Sequence, residues 1–349
     1  MSLRSEFRVG ITTRAVTFGQ DCKALIPHEF LDPEFFALAV KAQTRRILRL
    51  VDSAGHGTGR LPTDQVKSVR IPIPPLREQR AIARALRTVQ RSKEQTEQVS
   101  DAAQALKRSL AAHLFTYGSV RVGQTGSVAL RIEGNLTCPS QWAVVSLAEL
   151  LIEGPRNGLY KPASEYGQGA PIVRINDFGL DGDVVVSTRS RVRVDETELA
   201  RFGLRPFDLL VNRVNSLSHL GKVAMVSPEL REPMVFESNM MRLTPDSRKA
   251  DPEYLLRYLA SPATRGTLIS RSKRAVAQSS INQGDVESLP CPVPPLNEQH
   301  RIVRALAAVD RKLAAERQRT AALDTLFSSL LSDLMTARLR VDHLATEFA

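Results

Sequence analysis

With 349 residues, 42% hydrophobic and 24% charged, the chain has the composition of a folded protein with room for about two or three cored domains. Disorder, collagen and a disulfide-stapled miniature are excluded. Forty-eight Lys and Arg against 37 Asp and Glu leave a formal charge of +11, which points to a polyanionic partner, nucleic acid before membrane.

No window approaches about 18 consecutive apolar residues, and the arginine-bearing N-terminus lacks the apolar core of a secretory signal. Cys22, Cys138 and Cys291 have no metal-ligand spacing and read as thiols of a reducing cytoplasm.

After an N-terminal stretch, residues 72–91 read PIPPLREQRAIARALRTVQR. The prolines hold the backbone extended, and Pro75 suits the first helical position, where a missing N–H costs nothing. Glu78 then complements the helix dipole. A pattern free of Gly and Pro runs on to about Thr116. Along it Ile82, Leu86, Val89, Lys93, Thr96, Val99, Ala103, Leu106, Leu110 and Leu114 step by fours and threes. This is a narrow coiled-coil seam, polar in the middle. About forty residues at 1.5 Å each make a rod of roughly 60 Å.

Residues 120–290 change texture to short β-rich runs with Gly and Pro punctuation. Strands are expected at Trp142 to Leu147, Pro171 to Ile175, Val184 to Val186, Asp208 to Val211 and Val223 to Val226. A helix is expected from Asp251 to Leu259, capped by Asp251 and ended or bent at Ser261-Pro262. The reading is a compact mixed α/β domain whose polar residues gather in turns. Candidate DNA-binding residues there are Arg156, Asn157, Lys161, Arg174, Asn176, Arg213, Asn215, Ser216, Lys222, Gln278, Ser279 and Asn282. Singly each reads as a solvated loop residue. Concentrated in a basic chain, they are the side-chain types that hydrogen-bond base edges and phosphates.

Residues 292–311, PVPPLNEQHRIVRALAAVDR, repeat residues 72–91 at an offset of 220, with twelve of twenty positions identical. A second rod is expected from Leu296 to about Leu339. Its seam reads Ile302, Leu306, Val309, Leu313, Glu316, Thr320, Leu323, Leu326, Leu330 and Leu334. The two rods are expected to pair antiparallel, with Leu86, Val89, Leu106, Leu306, Val309, Leu313, Leu323 and Leu326 as interface residues. Upstream, Phe18 to Pro27 answers Phe236 to Pro245, and Asp32-Pro33-Glu34-Phe35 answers Asp251-Pro252-Glu253-Tyr254. Trp142 to about Leu217 has no counterpart in the first copy. No GxxxxGK[ST] motif, methyltransferase tetrapeptide, metal-ligand spacing or nucleophile–base arrangement stands out, so no catalytic or metal residue is assigned.

Gln278 to Asn282, the doubled proline–Glu–Gln junction with its long helices, and the Phe207 to Arg213 and Leu220-Gly221-Lys222 runs name a family. The chain resembles the DNA-specificity subunit of type I restriction-modification enzymes over nearly its whole length. The resemblance implies an α/β (α+β) fold in which target-recognition domains alternate with two long helices paired as an antiparallel coiled coil. It implies a partial first recognition domain at 1–71 and a junction with the first spacer helix at 72–117. A complete second domain at 118–291, a second junction and helix at 292–340, and a tail at 341–349 would follow. Such subunits bind double-stranded DNA, each recognition domain reading half of a split site, and the helices act as a ruler. They have no catalysis and bind no cofactor. They scaffold modification subunits, which methylate adenine with S-adenosylmethionine, and restriction subunits, which use ATP and Mg. Two alternatives stay open on sequence: an orphan remnant acting as an assembly scaffold, and an independent nucleic-acid-processing enzyme.

Overall fold

A computed structural model of the chain describes residues 2–3, 7–54, 58–134, 136–179, 182, 184, 190–274 and 279–341. Two compact units divide it, residues 1–102 with 314–349 and residues 103–313, so each unit holds one stretch of both long helices.

Five helices carry the architecture. Helix α1 (Pro33–Ala42) starts at Asp32, whose carboxylate accepts from Glu34 N at 3.1 Å and Phe35 N at 3.0 Å. The 42-residue α2 (Leu76–Tyr117) follows the first proline junction. Helix α3 (Pro252–Leu259) starts at Asp251, the repeat partner of Asp32, which accepts from Tyr254 N at 3.0 Å. Ser261-Pro262 ends α3 and opens α4 (Pro262–Arg271), because Ser261 is an N-cap and Pro262 fills the first turn. Helix α5 (Leu296–Met335) follows the second junction. It stops short of Leu339. Ala337 turns to φ 55°, and the N–H groups of Arg338 and Leu339 fold back onto Asp333 O at 2.9 and 3.2 Å.

The junction Gln explains much of the repeat. Gln79, buried, accepts from Asp32 N at 2.8 Å and donates to Phe30 O at 3.0 Å and Pro74 O at 2.8 Å. Gln299, fully buried, accepts from Asp251 N at 2.8 Å and donates to Pro294 O at 2.8 Å. Each carboxamide therefore ties the start of a long helix to the capping residue of the short helix before it. The neighbouring glutamates also tether: Arg340 donates to Glu78 at 3.3 Å in the first unit, and Ser119 N donates to Glu298 at 3.1 Å in the second.

In both units the long helices run antiparallel. Ile82 and Leu86 pack with Leu331, Leu334 and Met335 in the first, and Ala103 packs with Val309 and Leu313 in the second. The seam departs from the expected one at three apolar positions. Leu106 and Val99 are 57% and 42% exposed, and Leu326 is 45% exposed. Thr96, Ala103 and Glu316 are buried, as expected of the seam, and Lys93 meets Asp324 at 2.6 Å. The reason is angular. At about 100° per residue, Leu106 lies roughly 60° off the line through Ala103, Leu110 and Leu114, and Leu326 lies roughly 140° from Leu313 and Leu331. The helices keep a narrow stripe and accept polar side chains on it in preference to displaced leucines.

The second unit is built on antiparallel and short parallel strands: β1 (Leu151–Asn157), β2 (Tyr166–Val173), β3 (Leu209–Asn212), β4 (Val214–Asn215), β5 (Val223–Met225), β6 (Val235–Phe236), β7 (Met240–Pro245) and β8 (Ser279–Ser280). A four-stranded sheet has the order β5-β3-β7-β1, pairing Leu209 with Leu243 and Arg156 with Arg242. One core gathers Leu209, Met241 and Leu243 of this sheet, Trp142, Tyr254, and the helix-borne Leu114, Phe115, Ile302 and Leu306. The expected strands at 142–147, 171–175, 208–211 and 223–226 form, each with trimmed or extended ends. Val184 makes one bridge to Phe178, and residues 185–186 lie outside the described residues.

Candidate nucleic-acid interface

The turn from Glu237 to Asn239, between β6 and β7, is the hub of the basic loops. Ser238 N donates to Leu159 O at 2.9 Å, and Leu159 N donates to Phe236 O at 2.8 Å. This brings the Gly154–Lys161 turn against it. Gly158 has to be glycine for that approach, since a Cβ would strike the carbonyls of Phe236 and Glu237. On the other side Arg213 N donates to Asn239 O at 2.9 Å and Arg213 Nη1 to Ser238 O at 3.1 Å. Burial lowers the pKa of this guanidinium from its ordinary value. Arg174 reaches the same turn, with Nε on Glu237 Oε2 at 3.3 Å.

From Arg213 the chain runs through a polar hairpin to Lys222. Ser216 N donates to Asn215 Oδ1 at 2.7 Å, and Ser216 and Ser218 Oγ lie 3.2 and 2.9 Å from His219 Nδ1. Gly221 turns the chain at φ 69°, and Lys222 stands exposed beyond it. Arg265 of α4 braces the hairpin from below, donating to Ser218 O at 2.6 Å and Leu220 O at 2.9 Å. Strand β8 pairs Ser279 with Asn215, which buries Ser279.

The structure thus brings Arg174, Arg213, Asn215, Ser216, Lys222 and Ser279 around one turn and its hairpin. Asn157 is half-buried beside them, its Oδ1 without a hydrogen-bond partner among the described residues. Asn176 is exposed on the turn after Arg174. Arg156 and Lys161 are present but engaged: Arg156 pairs with Glu153 at 2.9 Å and Lys161 with Glu198 at 2.7 Å. The Glu198 hydrogen bond raises the Lys161 pKa above its ordinary value. The Asn282 carboxamide oxygen caps the helix Gln283–Glu287, accepting from Asp285 N at 2.9 Å. Gln278 lies outside the described residues.

Glu237 and Arg265 also hold this turn and hairpin, and sequence reasoning did not single them out. Polar turns guided it, whereas Arg265 sits in a helix, and Glu237 reveals itself only by meeting Arg174 across 63 residues. Among the described residues no group of three or more His, Cys, Asp or Glu could hold a metal ion. No helix there is long and apolar enough to cross a membrane.

Comparison with known proteins gives the family. The family model described as the type I restriction modification DNA specificity domain matches residues 7–103 and 139–325. The chain belongs to that family. It is 30% identical over 293 residues to the type I restriction enzyme StySPI specificity subunit of Salmonella potsdam, covering 82% of this chain and 60% of that protein. It is equally 30% identical over 295 residues to the EcoKI specificity subunit of Escherichia coli K12, covering 82% and 61%. A putative MjaX specificity subunit of Methanocaldococcus jannaschii is 31% identical over 201 residues, covering 57% of this chain and 46% of that protein. The chain therefore spans about half to three-fifths of the length of these curated relatives. A solved structure concerning complex assembly and conformational transition of the type I R-M system shares the fold at a TM-score of 0.56 and 20% identity, covering 88% of this chain and 72% of that one. The type I S subunit from M. genitalium shares it at a TM-score of 0.54 and 16% identity, covering 87% and 73%.

Proposed function

We propose that this chain is the non-catalytic DNA-specificity subunit of a type I restriction-modification complex acting in the cytoplasm. The observation that carries the reading is the family match across both units, together with the basic side chains gathered on the Glu237–Asn239 turn. The second unit reads duplex DNA through that turn and the Arg213–Lys222 hairpin. Gln278 and Asn282 flank the same surface in sequence, and Arg156, Asn157, Lys161 and Asn176 border it. The names of the relatives support this role, as does the absence of any nucleotide-hydrolysing motif in the sequence. The paired helices carry the modification and restriction subunits, which bring S-adenosylmethionine, ATP and Mg; this chain binds none of them. Leu106 and Leu326, exposed on the helices, face these partners.

Methylome sequencing of cells expressing this chain with its cognate methylase subunit tests the proposal. Adenine methylation at a defined motif, appearing only when this chain is present, is the expected result. Methylation without sequence preference, or none, overturns it.

A further inference from the structure

Arg174 is held at three points. Its backbone N–H donates to Asp177 Oδ2 at 2.7 Å, which fixes the Cα. Its Nε donates to Glu237 Oε2 at 3.3 Å, while Glu237 Oε1 accepts from Ile175 N at 2.9 Å, so the carboxylate itself cannot swing. Its guanidinium lies over the Tyr166 ring, 5.6 Å from the centroid. Nη1 and Nη2 make no hydrogen bond among the described residues, and the side chain is 53% exposed.

A phosphate contact asks for charge and little else, and a buried carboxylate at the Nε edge weakens the attraction of the pair for a phosphate. Edge recognition of a base asks for direction. A half-exposed guanidinium held through Nε and one face, with both terminal nitrogens free of hydrogen bonds among the described residues, matches the fork that binds guanine O6 and N7 in the major groove.

The geometry points to Arg174 as a guanine-reading residue, with Glu237 and Tyr166 as the positioning residues that aim it. This rests on the DNA-recognition reading above and assigns one position of the motif a base. Lys222, exposed and without such a cradle, serves a phosphate instead.

The test uses the full chain assembled with its methylase subunit, selecting from a duplex DNA library randomised through its centre. Wild type enriches a motif containing a guanine. In Arg174→Ala and Arg174→Lys the preference for that guanine falls roughly five- to 150-fold while every other position is retained. Lysine keeps the charge but loses the fork, so it separates the two roles. Glu237→Gln lowers preference at the same position, a readout that a merely structural loss would not confine to one base. Wild-type-like preference in Arg174→Lys, or uniform weakening in Arg174→Ala with no position changed, overturns the inference and leaves the DNA-recognition reading standing. A wild-type complex that enriches no motif overturns both.

Discussion

Single side chains decide how the long helices are attached. Gln299 is fully buried and satisfies Asp251 N and Pro294 O with one carboxamide. Gln299→Leu keeps the volume and strands both backbone groups, at about 1–3 kcal/mol for each left unpaired. The expected outcome is a clear fall in the denaturation midpoint of the full chain, larger than for Leu at any exposed position of α5. A midpoint within error of wild type would show that the carboxamide ties nothing. The same scale shows where sequence reasoning stops. Glu78-Gln79 and Glu298-Gln299 were visible as a repeated motif, and the glutamates were read as dipole partners. That the glutamine holds an N-cap backbone 48 residues upstream depends on tertiary folding, which no local pattern encodes.

Between elements, charge and packing share the seam. Asp310 pairs with Lys107 at 2.5 Å and accepts from Arg257 at 2.6 Å. Burial pushes its carboxyl up, but the two cations outweigh this and hold it below the usual carboxylate range. A depressed folded value means that the unfolded chain takes up the proton first. The contribution to stability is full above the ordinary Asp value of about 3.9 and is lost as pH falls through the folded value. Asp310→Asn should therefore lower the melting temperature at neutral pH, with the gap to wild type closing below about pH 4. A gap that stays constant down to acid would exclude this ion pair as the source. The seam reading holds at Thr96, Ala103 and Glu316 and fails at Val99, Leu106 and Leu326. Stepping by threes and fours also picks up Leu106 and Leu326, whereas helical geometry turns them off the line that Thr96 and Ala103 keep.

At the scale of the assembled protein, the displaced leucines become a test. Ala103→Glu puts a charge into the buried stripe beside Val309 and Leu313 and should lower stability by several kcal/mol. The Leu106→Glu, Leu326→Glu double variant alters exposed positions and should change stability by less than about 1 kcal/mol. Its expected effect is loss of co-purification with the methylase subunit. Retained co-purification would remove these leucines from the partner-facing surface. The two-helix plan was legible because the repeat is long and the aliphatic stripe strong. The proposed DNA-facing surface was legible as residue types in turns, but the sorting of engaged from available side chains was not. Glu153 and Glu198, which occupy Arg156 and Lys161, are ordinary acids in the sequence.

The glutamine ties make few demands on what they hold. Each takes one amide N–H and main-chain carbonyls from the segment upstream, and a matching Asp-Pro helix start is all that segment must offer. Main chain is the same in every sequence, so the joint is indifferent to the identity of the domain it secures. The segment upstream of each junction is thus held by the same kind of fitting. A different segment with the same helix start could be secured upstream of either junction without redesign of the long helices.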